Sequence, residues 1–300
     1  MTKRVLAVSV LLLWVSSRTA DADDCHAVAK GTALYVDEMA ETRAGKTTAD
    51  VVGWFGREPL GAPTIALKLV ALDGDEVQRE LSVYVRRGDA RAVACPSPWR
   101  RGEGERVALT WPDARHAGQA VRTTIAGRMK KAKRAHGRAC FAAGVPGVSA
   151  TVCADVAARR DAACVAVAAG KPVYTRPSTK HRLGETTEQV VATMNARVGS
   201  MLAVWFEDAD ASIPGYVRVS DTTPAPCPDA DAVGSLHAIP PYPALLADGT
   251  YAGFRTFGPG LLGAPKPDVR TVRGRTLSCG PTSPAPGLRA TICIETSADP

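Results

Sequence analysis

Aromatic residues make up only 5% of this 300-residue chain, whereas valine, alanine, glycine and proline are abundant. That mix favours short strands joined by tight turns over long helices. After the first 22 residues no segment has 18 consecutive apolar residues, so no membrane span is expected beyond that point. The cysteines include no close C-x2-C pair, and the five histidines (His26, His116, His136, His181, His237) form neither H-x-H nor H-E-x-x-H, so no metal site is expected. No G-x-S-x-G elbow is present; Ser235 and His237 are neighbours only in sequence. Ala44–Thr48 reads AGKTT, like the tail of a phosphate loop, but Ala40 stands where such a loop needs glycine. That stretch reads instead as a turn leading into a strand. The acidic groups Asp73-Asp75-Glu76, Glu207-Asp208-Asp210 and Asp229-Asp231 lack the calcium-loop pattern and read as solvated turns. No cofactor is expected.

What is present begins with Met1 to Ala22. Lys3 and Arg4 precede the apolar run Val5 to Val15, and Ala20-Asp21-Ala22 offers small residues at the two positions that direct cleavage. This pattern reads as a secretory signal peptide, with the mature chain beginning at Asp23. Export places the chain outside the cytosol, secreted or periplasmic, where thiols oxidise; its eight cysteines then read as a disulfide framework.

The cysteines fall into two similar sets. Cys25, Cys95, Cys140 and Cys153 are separated by 70, 45 and 13 residues, and Cys164, Cys227, Cys279 and Cys293 by 63, 52 and 14. Local text agrees: CHAVAKGTALYV opposes CVAVAAGKPVYT, and AGKTTADVV opposes LGETTEQVV. A tandem duplication is therefore expected, with repeats over 23–153 and 164–300 joined by a linker over 154–163.

Within the first repeat, Ile65, Leu67 and Leu69 alternate before the turn Asp73-Gly74, and Leu81, Val83 and Val85 alternate after it, which predicts a hairpin. Arg106 to Trp111 reads as a strand. Gln119 to Ala139 has near-helical spacing, but its counterpart in the second repeat is rich in proline and glycine, so strands are expected in both. Residues 238–246 and 257–267 read as extended loops. The fold class is all-β: two homologous, disulfide-stapled domains, each an SH3-like barrel or a β-sandwich.

The segments PVYTRPSTKHRL, VVATMNARVGSMLAVW and GYVRVS, within residues 171–219, resemble a bacterial SH3-like module. The resemblance covers under a fifth of the chain. It implies binding of cell-wall or peptide ligands in a shallow groove, for which Tyr174, Trp205 and Tyr216 are the candidates, although core packing also accounts for Trp205. It also implies that Cys25–Cys95 and Cys164–Cys227 tie a first strand to the end of its module. Cys140–Cys153 and Cys279–Cys293 would then close local loops, one of three connectivities open to each repeat.

The formal net charge is +7. Residues 1–22 carry Lys3, Arg4, Arg18 and Asp21, so their removal leaves +5, a mild excess. Specific nucleic-acid binding is not expected. Six basic residues do cluster within RMKKAKRAHGR: Arg128, Lys130, Lys131, Lys133, Arg134 and Arg138. They form a candidate polyanion-binding patch, or else a solvated basic loop. The functional expectation is a secreted or periplasmic binding or structural protein of the cell envelope, and not an enzyme. The alternatives are a secreted hydrolase with a site assembled from distant residues, or a protease inhibitor presenting loop 257–267.

Overall fold

The structure is a computed structural model that describes residues 24–59, 61–96, 100–135, 138–155, 164–207, 212–227, 242–256 and 267–296. The segment read as a signal peptide, the acidic residues Asp208, Asp210, Asp229 and Asp231, and nearly all of 257–267 lie outside those residues.

The first half begins with β1 (Asp24–Val28), β2 (Ala33–Tyr35), β3 (Arg43–Thr47), β4 (Val51–Arg57), β5 (Thr64–Asp73) and β6 (Glu76–Arg86). A 3-10 turn, Arg87–Asp89, then leads to β7 (Ala90–Ala94), β8 (Arg100–Arg101), β9 (Arg106–Thr110) and β10 (His116–Val121). Helix α1 (Arg122–Lys131), β11 (Lys133–Ala135), β12 (Arg138–Ala142) and β13 (Val148–Asp155) complete it.

The expected hairpin is β5–β6. Leu69 faces Leu81, Leu67 faces Val83 and Ile65 faces Val85 across the pair, all six buried, while Gly74 supplies the left-handed turn residue at φ +63°. Strand β6 also pairs with β2 and with β10. The ring β6-β2-β3-β13-β9-β10 therefore closes into a six-stranded barrel, while β5, β4, β1 and β7 continue the sheet beyond it. Closure removes free strand edges and distinguishes this half from a sandwich.

The second half follows the same order, without counterparts of β8 and α1 among the described residues. It opens with β14 (Cys164–Val167), β15 (Pro172–Tyr174), β16 (Arg182–Thr186), β17 (Val190–Val198), β18 (Met201–Glu207) and β19 (Ser212–Arg218). After the 3-10 turn Val219–Asp221 come β20 (Thr222–Ala225), β21 (Tyr242–Leu245), β22 (Tyr251–Thr256), β23 (Asp268–Val272), β24 (Arg275–Ala285) and β25 (Leu288–Glu295). Its order β22-β21-β25-β16-β15-β19-β18-β17-β14-β20 matches β10-β9-β13-β3-β2-β6-β5-β4-β1-β7 position by position. The ring is not closed by a ladder here. Among the described residues β19 starts later than β6, and it carries Pro214, which has no N–H to give a neighbour.

The disulfides occupy equivalent places. Cys25–Cys95 and Cys164–Cys227 join a first strand to the segment after β7 or β20, and Cys140–Cys153 and Cys279–Cys293 cross-link facing residues of β12–β13 and β24–β25. Four bridges suit folding in an oxidising compartment. No helix among the described residues is long and apolar enough to cross a membrane.

The matching AGKTT and LGETT stretches have a structural cause. Four residues of each lie in a strand, 44–47 in β3 and 183–186 in β16, so AGKTT is mainly strand where a turn was expected. A Cβ on Gly45 would collide with the Ser149 carbonyl oxygen of β13, and one on Gly184 with the Arg289 carbonyl oxygen of β25. Two positions on, Thr47 donates to Ala29 O (2.7 Å) and accepts from Thr32 N (2.9 Å); Thr186 does the same with Ala168 O (2.6 Å) and Lys171 N (2.9 Å). Gly45→Ala is therefore expected to destabilise by about 1–3 kcal/mol through overpacking against backbone that cannot retreat. An unchanged urea midpoint would refute this.

Two expectations are corrected. Gln119 to Ala139 is not all strand, because Arg122–Lys131 is helical, seating Ile125 as its single buried residue against the core. The prolines that argued against a helix, Pro259, Pro265 and Pro267, lie in the second half and place no constraint on this segment, whose helix accommodates Gly127. Within 238–246, Tyr242–Leu245 forms a strand in spite of Pro243. In addition, β13 continues through Asp155, into the segment read as linker.

Candidate functional site

The halves meet through two features of the first. Loop 36–42 carries Asp37, Glu38 and Glu41. Asp37 folds the loop on itself, its carboxylate accepting from Glu41 N (3.0 Å) and Thr42 N (2.8 Å), with Ala40 in the left-handed region at φ 56°. Glu38, only 2% exposed, accepts from Arg255 Nη1 (3.0 Å) and Tyr251 OH (3.0 Å) of the second half. Glu41 accepts from Arg176 Nη2 (2.9 Å) and Tyr251 N (2.9 Å).

The second feature is the β9–β10 turn. Its Ala114 packs against Tyr174, Ala196, Met201, Ala203 and Tyr216, while Asn195 donates to Ala114 O (2.8 Å) and Tyr216 OH donates to Asp113 O. Burial, then the nearby Asp113 carboxylate, pushes the Tyr216 phenol well above its ordinary value; burial, then Glu38, does the same to Tyr251. Both phenols therefore stay protonated as donors. Burial opposes the charge on Arg115, but Asp113, Tyr216 and Asp37 outweigh it and raise its pKa.

A cavity of about 40 Å³ lies in this joint, lined by residues of both halves including Arg115, Arg176, Trp205 and Tyr251. Ligand pockets usually run to roughly 300–1,000 Å³. This one has room for no more than a few waters, and its charged walls are already paired with each other.

The joint also locates the aromatic candidates. Tyr174 and Tyr216 are buried in it, and Trp205 is half-buried on the cavity wall. The three share one region of the second half, but the first half covers two of them.

The basic candidates divide. Arg128, Lys130 and Lys131 are exposed on the last turns of α1, and none has a carboxylate partner among the described residues. Lys133 and Arg134 follow on β11. Arg138 leaves the patch: only 4% exposed, it donates to Trp111 O (2.8 Å), Pro112 O (3.2 Å) and Thr110 Oγ1, bracing the β9–β10 turn from within.

Beside α1 runs an open groove of about 580 Å³, lined by Thr123, Arg128 and Lys131 over Phe141 and the Cys140–Cys153 bridge. Another groove, of about 680 Å³, is framed by Arg43, Trp111, Asp113 and Ser149 and has one basic and one acidic side chain. The α1 groove alone of these two combines ligand-sized volume with uncompensated charge. Among the described residues no cluster of three or more His, Cys, Asp or Glu is placed to hold a metal ion.

Sequence reasoning missed Asp37, Glu38 and Glu41. A signal existed: the aligned loop 175–181 carries Arg176, Lys180 and His181, opposite in sign to loop 36–42. The chain matches no protein-family model, no curated protein and no solved structure.

Proposed function

We propose that this protein is an exported, non-enzymatic binding protein of the cell envelope, built by duplication, whose working surface is the basic face of α1. The observation that carries the reading is the set Arg128, Lys130 and Lys131, exposed beside a ligand-sized groove without carboxylate partners among the described residues. Uncompensated cations on a rigid scaffold attract anionic polymers and surfaces. The four disulfides and the leader-like start support export. The equivalent strand order supports duplication. The SH3-like reading draws support from the meander β17–β18–β19, followed by a 3-10 turn and a strand beside β14.

Co-sedimentation with purified peptidoglycan sacculi tests the function. Retention is expected at low salt, lost at high salt, and weakened in an Arg128→Ala, Lys130→Ala, Lys131→Ala triple variant. Retention that ignores both salt and the triple variant would move the working surface elsewhere, with Trp205 the next candidate. No retention at any salt would overturn the envelope reading.

A further inference from the structure

Arg79, on β6, is a buried cation with no carboxylate partner among the described residues. It is 3% exposed, and its guanidinium donates only to backbone: Nη1 to Ala143 O (2.8 Å) and Gly144 O (3.0 Å), Nη2 to Thr124 O (3.1 Å). An arginine has five N–H donors. Those three bonds leave two unused, and Nε is buried without any partner. A second guanidinium approaches it. A Cβ built on Gly144 would overlap Nη1 of Arg79 and Nη1 of Arg128 alike, so both groups crowd one glycine. Burial and the Arg128 charge together lower the pKa of Arg79.

Two like charges pressed together in a partly dry setting cost free energy unless an anion joins them. Among the described residues none does so: neither Arg79 nor Arg128 forms a salt bridge there. Gly144 leaves the space in which both guanidinium ends lie; a Cβ there would displace one or both of them. Arg128 lines the α1 groove, where Lys131 supplies a third cation and Thr123 a hydroxyl. Arginine forks suit tetrahedral oxyanions, whose paired oxygens accept two N–H groups at once.

We infer that the Arg128–Lys131 end of the α1 groove, with Arg79 behind it, is a built site for a single phosphate group. This rests on the reading of the α1 face as the working surface and narrows it to one chemistry. Arg128 and Lys131 would touch the anion. Arg79 is a positioning residue, fixing the Arg128 guanidinium through the backbone at 143–144 and adding its field from below.

The test titrates the intact protein with inorganic phosphate and, separately, with dimethyl phosphate, followed by amide chemical shifts. Saturable binding of phosphate is expected, with shifts centred on 123–131 and 143–144. Arg128→Ala should weaken it about tenfold or more, as loss of a charge-assisted hydrogen bond does. Lys30→Ala should leave it within about twofold, because Lys30 is exposed on the turn between β1 and β2 and does not line the groove. Binding of the diester as well would identify the phosphodiesters of polymers and lipid headgroups as sources. Binding of phosphate alone would indicate a free or terminal phosphate, and either result supports the site. Absence of saturation, or equal losses in Arg128→Ala and Lys30→Ala, would overturn it. Phosphate binding without sacculus retention would fail the envelope reading and leave this site standing; retention without phosphate binding would do the reverse.

Discussion

Full reduction of the four disulfides is expected to abolish the cooperative unfolding transition at neutral pH. In the chain-entropy account, a cross-link stabilises by restricting the unfolded chain, more so for longer loops. The bridges Cys25–Cys95 and Cys164–Cys227 span 70 and 63 residues, and each contributes about 4 kcal/mol on that basis. The short bridges span 13 and 14 residues and contribute about 3 kcal/mol each. Each half then loses roughly 7 kcal/mol, comparable with the whole stability of a typical domain. The experiment compares urea unfolding of the oxidised protein with protein reduced and alkylated at all eight cysteines. A folded reduced protein with its midpoint unshifted would refute the expectation. Cys25→Ala/Cys95→Ala should cost more than Cys140→Ala/Cys153→Ala, since the first pair also holds β1 beside β7 at the end of the sheet.

Glu38→Ala is the single substitution with the largest expected effect, about 3 kcal/mol or more. The carboxylate is buried and bonded to Arg255, itself only 10% exposed, to Tyr251, and stands 4.0 Å from Arg57. Removing one member of a buried pair leaves the other's charge without its neutralising partner, which costs more than the pair's net contribution. The loss falls on the joint, so the halves should uncouple and unfold in two separate steps instead of one. Urea unfolding followed by tryptophan fluorescence checks this, because Trp54 and Trp111 report on the first half and Trp205 on the second. The double variant Glu38→Leu/Arg255→Leu should recover part of the loss, as apolar replacements for buried pairs often do. A single transition with an unchanged midpoint in Glu38→Ala would remove the joint from any account of stability.

Most strands were legible because their burial has period two. Leu81, Val83 and Val85 could hardly face anything but a core, and Asp73-Gly74 could hardly be anything but a turn. The two sets of cysteines were legible because their spacing repeats. Helix α1 was misread although Gln119 to Ala139 has near-helical spacing: the comparison with the proline- and glycine-rich second half outweighed a signal that a helix with one buried side chain, Ile125, writes only faintly. Arg138 was misread for a related reason. A run of basic residues carries no mark of which member turns inward to satisfy carbonyls, and only the fold of the β9–β10 turn decides that. The joint depends on residues such as Glu38 and Arg255, which lie far apart in sequence and find each other only after both halves have formed. The Arg79–Arg128 pair depends in the same way on the close approach permitted by Gly144.

The opposite signs of loops 36–42 and 175–181 have one more consequence. The contact between the halves is heterologous: an acidic plug on one unit meets a differently shaped, basic receptor on the other. Contacts of that type on separate molecules propagate head to tail and do not close after two copies. Here both ends belong to one polypeptide, so a single intramolecular contact occupies plug and receptor together. Pried open, each molecule would offer a free plug at one end and a free receptor at the other, and the units would thread into open chains. Loop 36–42, seated on Arg255 and Arg176, thus fills within its own molecule the receptor that another copy's loop would need.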